Sequence, residues 1–545
     1  MENNEDRDDY TRIIAMAKHF DKTGTAFETG LEDVIDIDQW LRALAYSCAT
    51  GAGDSFFSNA NHNGIFYARP DGRVLYFPHD MDYSFSATRN IFECTELQKL
   101  TANPTRQRAY LGHLHDICTT VFNQSYMASW TSHFGSLLPG ENFAGHLSYI
   151  NSRSNYILNA INSTVAPVTF AITTNGGADF GTSSSPVTLT GTGWVNVRQI
   201  RLAGSTLPLA STWTTASTWQ VSIPLSPGPN PITLEALDFT GAVVGADQIT
   251  VTNAGAIVQA TPATLVVSEI YYNPPGSIET TEYVELLNTS ATKLDLSQVT
   301  FTAGLTFSFA TPTLLEPGAR TLLVKDPAAF TAAFGAGQPI AGSFPNNLDN
   351  SGERIELRRV DGLILHSFTY DDTAPWPTEP DGGGYSLVLV SPNSNPDHAD
   401  PRSWRASAVA GGGTPGTADT QSYAAWKAAN GNHGDTDDLD GDGFTTRQEY
   451  FLGGNPTVAN QNLAPLFAFE PDGTLLMSVT RRATAAEAGL NPEISTNLAG
   501  WLPDPTAVFL GSQRLAGSPA LDRLTFRLAP PIGAPRFFAR FAFGP

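Results

Sequence analysis

The sequence predicts a multidomain protein with a small α+β region at its start, followed mostly by β-sandwich modules with a short helical insert. Its 545 residues are too many for a single core. Apolar residues recur at helical spacing before residue 165 and mostly alternate with polar residues after it. The 48 glycines and 37 prolines supply the turns that many short strands need.

The charge balance restricts the class of partner. Acidic residues number 53 against 31 basic residues, which gives a formal net charge of −22 at pH 7. Such a balance argues against nucleic acid or an anionic membrane surface as a partner and favours cation binding. No apolar run approaches the length of a membrane span. Because Cys48, Cys94 and Cys118 cannot all pair, we expect each to be a small buried hydrophobe.

The first region is predicted to consist of helices around one hairpin. Strands are expected at 64–68 and 74–77, because alternating residues flank the turn Pro70-Asp71-Gly72. Asp36 or Asp38 is a candidate N-cap for the second helix. Apolar residues at helical spacing predict helices over residues 8–20, 39–48, 106–122, 126–134 and 143–162.

Four polar residues flank this hairpin and could hold a metal ion. Asp54 and Asn63 precede it, and Asp80 and Asp82 follow it closely. Hard oxygen ligands on adjacent loops are what a magnesium ion bound to polyphosphate requires. An Asp-x-Asp pair at the end of a hairpin can also be a simple turn or a solvated cap.

The ordered combination of these residues resembles the CotH kinase family. Members of that family carry a catalytic Asp, then an HN-x-x-x-Y strand, then a P-x-D-x-D metal motif, and this sequence has all three in that order. The resemblance implies that Asp54 is catalytic. It also implies that Asn63, Asp80 and Asp82 bind the cofactors, Mg²⁺ and ATP.

The resemblance covers only the C-terminal lobe of a CotH kinase. The residues before Asp54 are predicted to be helices instead of a glycine-rich nucleotide-binding lobe. His79 stands where the family usually has Trp, and Ser86 stands where it usually has Gly. The sequence therefore leaves two alternatives, an incomplete lobe without activity and a working protein kinase.

The next region is predicted to be a β-sandwich. Residues 165–255 alternate β-branched and polar residues between Gly, Pro and Asn turns, and they resemble bacterial immunoglobulin-like modules. Trp194, Trp213 and Trp219 could form a sugar-binding platform, but positions in the core are the expectation.

A longer resemblance follows, to the lamin-tail domain. The stretches LVVSEIYYNPPG, EYVELLNTSATKLDLSQVTFT and GTPG carry it, and it implies an immunoglobulin-like sandwich that acts in interactions. Within it, Pro317-Gly318 is predicted to close a hairpin. Glu269, Glu282 and Glu285 could be paired catalytic carboxylates. Because members of this family are interaction modules, we expect structural roles for these acids instead.

Residues 438–449 match a twelve-residue EF-hand loop. Asp occupies positions one, three and five, Gly position six and Glu position twelve. A single loop is expected to order a junction and not to open and close as a sensor. The predicted Ca²⁺ ligands are Asp438, Asp440, Asp442, the backbone carbonyl of Phe444, Thr446 directly or through water, and Glu449.

Changes of pattern divide the chain into five predicted domains. The last returns to strands and resembles a β module at the ends of exported bacterial proteins. The domains are a CotH-like C-terminal lobe (1–164), an immunoglobulin-like sandwich (165–255), a lamin-tail domain (262–408), an EF-hand-like loop with flanking helices (420–458) and a C-terminal β module (459–545).

Together these features predict a modular, calcium-stabilised interaction or scaffold protein that binds a protein or cell-surface ligand through its β modules. One alternative is an active CotH-type kinase that transfers phosphate from ATP to protein Ser/Thr, and another is a carbohydrate-binding adhesin. The acidic start MENNEDRDDY lacks the regions of a signal peptide. We therefore expect that the chain lacks the front of a longer secreted or surface protein, with a cytoplasmic protein as the alternative.

Overall fold

A computed structural model describes the protein over residues 9–60, 62–276, 278–459, 463–485, 489–504, 506–517, 519–529 and 536–544, with the backbone alone at 489, 543 and 544. The chain divides into two compact units. The first comprises the chain up to Thr182 together with Val187–Ile223 and Pro229–Thr252. The second comprises Ser183–Pro186, Pro224–Gly228 and the chain from Asn253 onward.

The first unit begins with helices, as predicted. Asp36 caps α4 by accepting a hydrogen bond from the Gln39 amide at 3.1 Å. The prediction over 8–20 corresponds to α1, and its first residue, Asp8, lies outside the described residues. The helices are α1 (Thr11–Phe20), α2 (Gly24–Glu28), α3 (Leu31–Val34), α4 (Ile37–Thr50), α5 (Thr95–Thr101), α6 (Pro104–Thr120), α7 (Gln124–Leu137) and α8 (Phe143–Thr164).

One antiparallel hairpin packs against these helices, and it is also as predicted. It pairs β1 (Gly64–Ala68) with β2 (Val74–Pro78). Trp40 of α4 is fully buried beneath it and donates its indole N–H to the Val74 carbonyl at 2.8 Å. Burial of this ring supplies much of the apolar contact between helix and hairpin. The three cysteines are free and buried, which confirms the expectation for them.

The rest of the first unit is a β-sandwich of two four-stranded sheets. One sheet has the order β3-β5-β8-β7 and the other β4-β10-β9-β6. The inward residues alternate along β5 and β8, which is the pattern of a sheet with one buried face. The strands are β3 (Ala171–Ile172), β4 (Phe180–Thr182), β5 (Val187–Thr192), β6 (Gln199–Leu202), β7 (Ser211–Trp213), β8 (Thr218–Ile223), β9 (Gly228–Leu237) and β10 (Val243–Asn253).

The tryptophans of this sandwich pack within the unit. Trp219 is buried, and its indole donates to the Thr192 carbonyl. Trp194 donates to the Val165 carbonyl at 2.9 Å, and the ring of Trp213 lies 3.2 Å from the guanidinium of Arg108 on α6. Each ring has a partner in the unit, so a flat sugar-binding platform does not form here.

The second unit begins with strands that form three sheets. The largest has six strands in the order β19-β18-β13-β12-β22-β23, beside a four-stranded sheet β16-β15-β20-β21 and a three-stranded sheet β11-β14-β17. The elements are β11 (Val258–Gln259), β12 (Leu265–Tyr271), β13 (Tyr283–Asn288), β14 (Leu294–Asp295), β15 (Thr300–Ala303), β16 (Phe307–Ser308), β17 (Leu314–Leu315), β18 (Arg320–Val324), α9 (Pro327–Phe334), β19 (Ile340–Ser343), β20 (Arg354–Arg358), β21 (Ile364–Thr369), β22 (Leu387–Leu389) and β23 (Trp404–Ala406).

The hairpin predicted around Pro317-Gly318 is wrong. The turn is present, since the Ala319 amide donates to the Glu316 carbonyl at 3.1 Å. However, β17 pairs with β14 and β18 pairs with β13, so the turn connects two sheets. Turn chemistry is local, whereas the choice of strand partner depends on which faces can be buried.

The second unit continues with two short helices and two further sheets. The sheets have the orders β24-β25-β29-β28 and β27-β26-β30. None of the helices in the described part of the chain combines the length and apolarity needed to cross a bilayer. The elements are α10 (Tyr423–Ala429), α11 (Thr446–Leu452), β24 (Leu466–Phe469), β25 (Leu475–Arg482), β26 (Gly489–Ser495), β27 (Leu502–Pro503), β28 (Val508–Leu515), β29 (Leu521–Leu528) and β30 (Phe538–Gly544).

Candidate functional sites

The predicted kinase residues flank the β1–β2 hairpin. Asp54 lies in the loop after α4, and its backbone oxygen accepts the side-chain amide of Asn63 at 2.7 Å. Nε2 of His62 lies 3.1 Å from Oδ1 of Asp54. Both of these side chains are about half exposed, so the ion pair is worth little to stability. The structure thus brings Asp54, His62 and Asn63 together at the surface.

The two remaining kinase residues lie at the other end of the hairpin. The His79 amide donates to the Asn63 carbonyl at 3.2 Å, which holds the Asp80 segment beside Asn63. Asp82 accepts the Tyr83 amide through Oδ1 at 2.9 Å. Across the described residues, Asp54, Asp80 and Asp82 do not form a group whose ligand atoms all lie within 4.8 Å of one another.

Backbone strain is concentrated at this site. Asp54, Asn63 and Asp80 have φ values of 46°, 55° and 49°, in the left-handed region that residues other than glycine seldom occupy. Such conformations cost of the order of 1 kcal/mol or more each and cluster at binding and active sites. Asn and Asp tolerate them best, so the strain alone does not assign a function.

The calcium loop brings its first three predicted ligands together. Carboxylate oxygens of Asp438, Asp440 and Asp442 all lie within 4.8 Å of one another. Oδ1 and Oδ2 of Asp438 accept the amides of Gly441 and Gly443 at 2.9 and 3.0 Å. These bonds fold the loop back on its first residue. Gly443 adopts a φ of 92°, which explains why glycine is needed at position six.

One carboxylate oxygen of this loop needs a partner. Oδ2 of Asp440 is buried and makes no hydrogen bond within the described residues, whereas its Oδ1 accepts the Asp442 amide at 3.2 Å. A buried charged oxygen without a donor is costly unless a cation binds it. The donor set is entirely oxygen, which fits a hard divalent ion.

The last predicted ligands lie at the start of α11. Thr446 is buried and donates its hydroxyl to the Asp437 carbonyl at 3.1 Å. Glu449 is also buried but stands outside the three-aspartate group. Phe444 donates its amide to Oδ1 of Asp442 at 2.9 Å and packs against the neighbouring core. The roles of Phe444, Thr446 and Glu449 as ligands stay predictions.

The acids of the lamin-tail-like region hold the segment that follows the sandwich. Glu269 and Glu285 face each other across β12 and β13, and both are buried. Oε1 of Glu269 accepts the Tyr283 hydroxyl at 2.7 Å and the Thr414 amide at 3.2 Å. Oε2 of Glu285 accepts the Gly416 amide at 2.8 Å. These contacts fit the expected structural role.

The environment of this pair shifts both titrations in the same direction. Burial raises the pKa of Glu269, and the neighbouring Glu285 charge adds to the shift. Burial also raises the pKa of Glu285, although the Arg320 guanidinium, 3.0 Å from Oε1, opposes it. One proton shared across the pair relieves the repulsion between the two carboxyls.

A buried charge cluster in the C-terminal sheet was not predicted. Asp522 on β29 lies in register between Arg481 on β25 and Arg514 on β28. All three side chains are nine-tenths buried or more. The two arginines are visible in the sequence, but their convergence depends on strand pairing across 40 residues or so, which no local pattern reveals.

Comparison with solved structures gives low similarity. A DUF4876 family protein from Bacteroides thetaiotaomicron is 11% identical over 44% of this chain and 95% of its own, with a TM-score of 0.20. SGBP-B of the Bacteroides ovatus mixed-linkage glucan utilization locus, in complex with a mixed-linkage heptasaccharide, is 15% identical over 36% and 42%, with a TM-score of 0.12. An auxiliary nutrient binding protein from Bacteroides ovatus is 7% identical over 41% and 64%, again with 0.12. At these scores the similarity carries no functional argument.

Comparison with sequence families is more specific. A search of curated proteins found no match. The immunoglobulin-like, EF-hand and C-terminal β assignments stay predictions. Two of the resemblances are confirmed: residues 1–160 match the family of the CotH kinase protein, and residues 258–372 match the Lamin Tail Domain.

Proposed function

We propose that the protein is a modular, calcium-stabilised extracellular interaction protein that carries an incomplete CotH-like kinase lobe. The main support is the convergence of Asp438, Asp440 and Asp442, with one buried oxygen lacking a donor. Without a cation these three charges repel one another. With Ca²⁺ bound between them, the repulsion becomes attraction and the loop is stabilised.

The position of the loop suggests what the ion would stabilise. The loop connects α10 to α11, and α11 is bonded to the C-terminal sheet. Nε and Nη2 of Arg482 donate to the carbonyls of Tyr450 and Gly454 at 3.0 and 2.9 Å. The Gln421 amide before α10 donates to the Thr484 carbonyl at 2.7 Å. An ordered loop would therefore hold both helices against strand β25.

Calcium should raise the melting temperature of the second unit by several degrees. A ligand at a hundredfold excess over its Kd adds about 3 kcal/mol to the free energy of unfolding. The double variant Asp438→Asn/Asp440→Ala should lose this shift, measured by calorimetry with calcium and with chelator. Asp472→Asn, which changes an exposed turn aspartate of the same unit, should keep it. An unchanged calcium-dependent shift in the double variant would contradict the calcium assignment.

An active kinase is the second candidate, and the strained backbone at Asp54, Asn63 and Asp80 favours it. Under our proposal the protein binds no ATP detectably, because the nucleotide-binding lobe has no counterpart in the described residues. Micromolar, magnesium-dependent ATP binding that is lost in Asp80→Ala would overturn that view. The control is Asp71→Ala at the hairpin turn, away from the predicted ligands. Equilibrium binding of labelled ATP measures the difference.

A further inference from the structure

A large cavity lies within the second unit, apart from the sites above. Its volume is about 1070 Å³, and it is lined by the segment 390–396, by Ala425 of α10 and by Arg481, Phe509 and Phe526 of the C-terminal sheet. That volume is far more than an ion requires and matches the range that holds a small organic molecule. The cavity is therefore a candidate binding site for a ligand of that size.

Arg481 is the unusual residue of this cavity. Its side chain is 4% exposed, and within the described residues neither Nε nor Nη2 makes a hydrogen bond. Its nearest carboxylate oxygen, Oδ2 of Asp522, is 3.6 Å from Nη2, beyond hydrogen-bond distance. A buried guanidinium normally has most of its five donors satisfied. Arg481 lacks acceptors on the side where the cavity is built.

The neighbouring arginines show that the deficit is specific to Arg481. Arg514 donates through Nε to Asp522 at 2.7 Å and through Nη1 and Nη2 to the carbonyls of Ser407 and Ala406. Arg405 donates to Asp419 at 2.7 Å. Three buried guanidiniums thus share two carboxylates, which leaves a net charge of +1 beside the cavity. Apolar side chains of similar volume would be at least as stable.

The missing partner is therefore an anion, and a carboxylate matches the fork of a guanidinium in two parallel bonds. The rest of the lining offers short hydroxyl and amide side chains, including Ser394, Thr420, Asn393 and Asn491, together with the ring of Phe509. Sugar hydroxyls pair with such groups, and the apolar faces of sugar rings pack on aromatic side chains. An acidic peptide would more often add a strand to a sheet edge or lay a helix in an apolar groove.

We propose that this cavity binds an acidic oligosaccharide whose carboxylate pairs with Arg481. The inference names a ligand class for the proposed interaction function and in that respect rests on it. Arg402 at the same cavity is already neutralised by Asp400 at 2.6 Å, so Arg481 is the residue that selects for the acid. Its burial would then be a stability cost retained for binding.

The test is calorimetric titration of the full chain, in saturating calcium, with trigalacturonate and with maltotriose as a neutral trisaccharide. Trigalacturonate should bind, and maltotriose should bind at least about tenfold more weakly, since it lacks the charge-assisted bond. Arg481→Met should lose the preference for the acid while its melting temperature stays equal or rises.

A pair of helix variants tests the location without touching the charge cluster. Ala425 is exposed and lines the cavity, whereas the adjacent Ala424 is exposed and does not line it. Ala425→Trp should fill part of the cavity and weaken trigalacturonate binding by about tenfold or more, and Ala424→Trp should leave it unchanged.

Three outcomes would overturn the inference. They are no binding of trigalacturonate to the natural chain, equal binding to Ala425→Trp and Arg481→Met, or binding of tetraglutamate in its place with the same dependence on these variants. The calcium-dependent melting shift is measured on the same samples. A shift that persists without sugar binding removes only this inference, and sugar binding without a shift removes only the calcium assignment.

Discussion

Glu282 combines two environments in one carboxyl group. Oε2 accepts the Leu348 amide at 2.9 Å, while Oε1 is buried without a partner among the described residues. Burial raises the pKa of Glu282 to about 7, and the hydrogen bond from Leu348 opposes the shift. Glu269 and Glu285 shift in the same direction, so this region carries several carboxyls that favour the protonated form.

The stability of the second unit should therefore fall as the pH rises from about 4.5 to about 7. In this window the unfolded chain releases the Glu282 proton and the folded chain keeps it, so deprotonation favours unfolding. The contribution of this group is on the order of 2 kcal/mol. Urea unfolding at about pH 5 and about pH 7.5 measures it.

Glu282→Gln should flatten part of that pH dependence and leave the part due to Glu269 and Glu285. Glu316→Gln is the matched control, because the Glu316 side chain is 63% exposed. A pH dependence in Glu282→Gln that equals that of the natural chain would show that another group causes it.

At the scale of elements, α6 approaches the sandwich of the first unit very closely. A Cβ added at Gly112 would lie 2.8 Å from the Val195 carbonyl oxygen and 3.0 Å from the ring of Phe239. Arg108, one turn earlier, donates to the carbonyls of Trp194 and Val197. On α4, Asp38 contacts Nε2 of His113 at 2.9 Å. Glycine thus permits helix–sheet contact that polar groups then secure.

Gly112→Ala should lower the free energy of unfolding of the first unit by about 1–3 kcal/mol, because the backbone of Val195 cannot yield easily. Gly135→Ala in α7 is the matched control. There the nearest atom to an added Cβ is 3.6 Å away, so helix propensity alone should raise stability by about 0.5–1 kcal/mol. Urea unfolding of both variants checks the opposite signs, and equal effects would refute the close approach.

The elements also show what local sequence reasoning reaches. Helices α4, α6, α7 and α8 and the β1–β2 hairpin were predicted, because periodicity, caps and turn residues are encoded within each segment. The pairing of β18 was missed, because a turn at Pro317-Gly318 does not specify which strand follows it into a sheet. Burial of Glu285 in β13 was also not readable from alternation, since both faces of this strand are covered.

At the scale of the whole molecule, the five predicted domains fall into two compact units. The finer division stays a prediction. The calcium loop could be predicted because its ligands lie within twelve residues, and the kinase residues because their motif is ordered along the chain. The cluster of Arg481, Arg514 and Asp522 could not, because its members meet only through the register of three strands.

The sheet order around β12 bears on how pieces of this chain should be produced. The family match ends at residue 372, yet β12 is covered on one side by β22 and then β23, and the amides of Thr414 and Gly416 bond to buried acids further on. A fragment cut at the family boundary would expose β12 as an open edge and strip two carboxyls of their donors. Open edges recruit strands from other molecules and drive aggregation. Recombinant fragments of this region should therefore extend past residue 416.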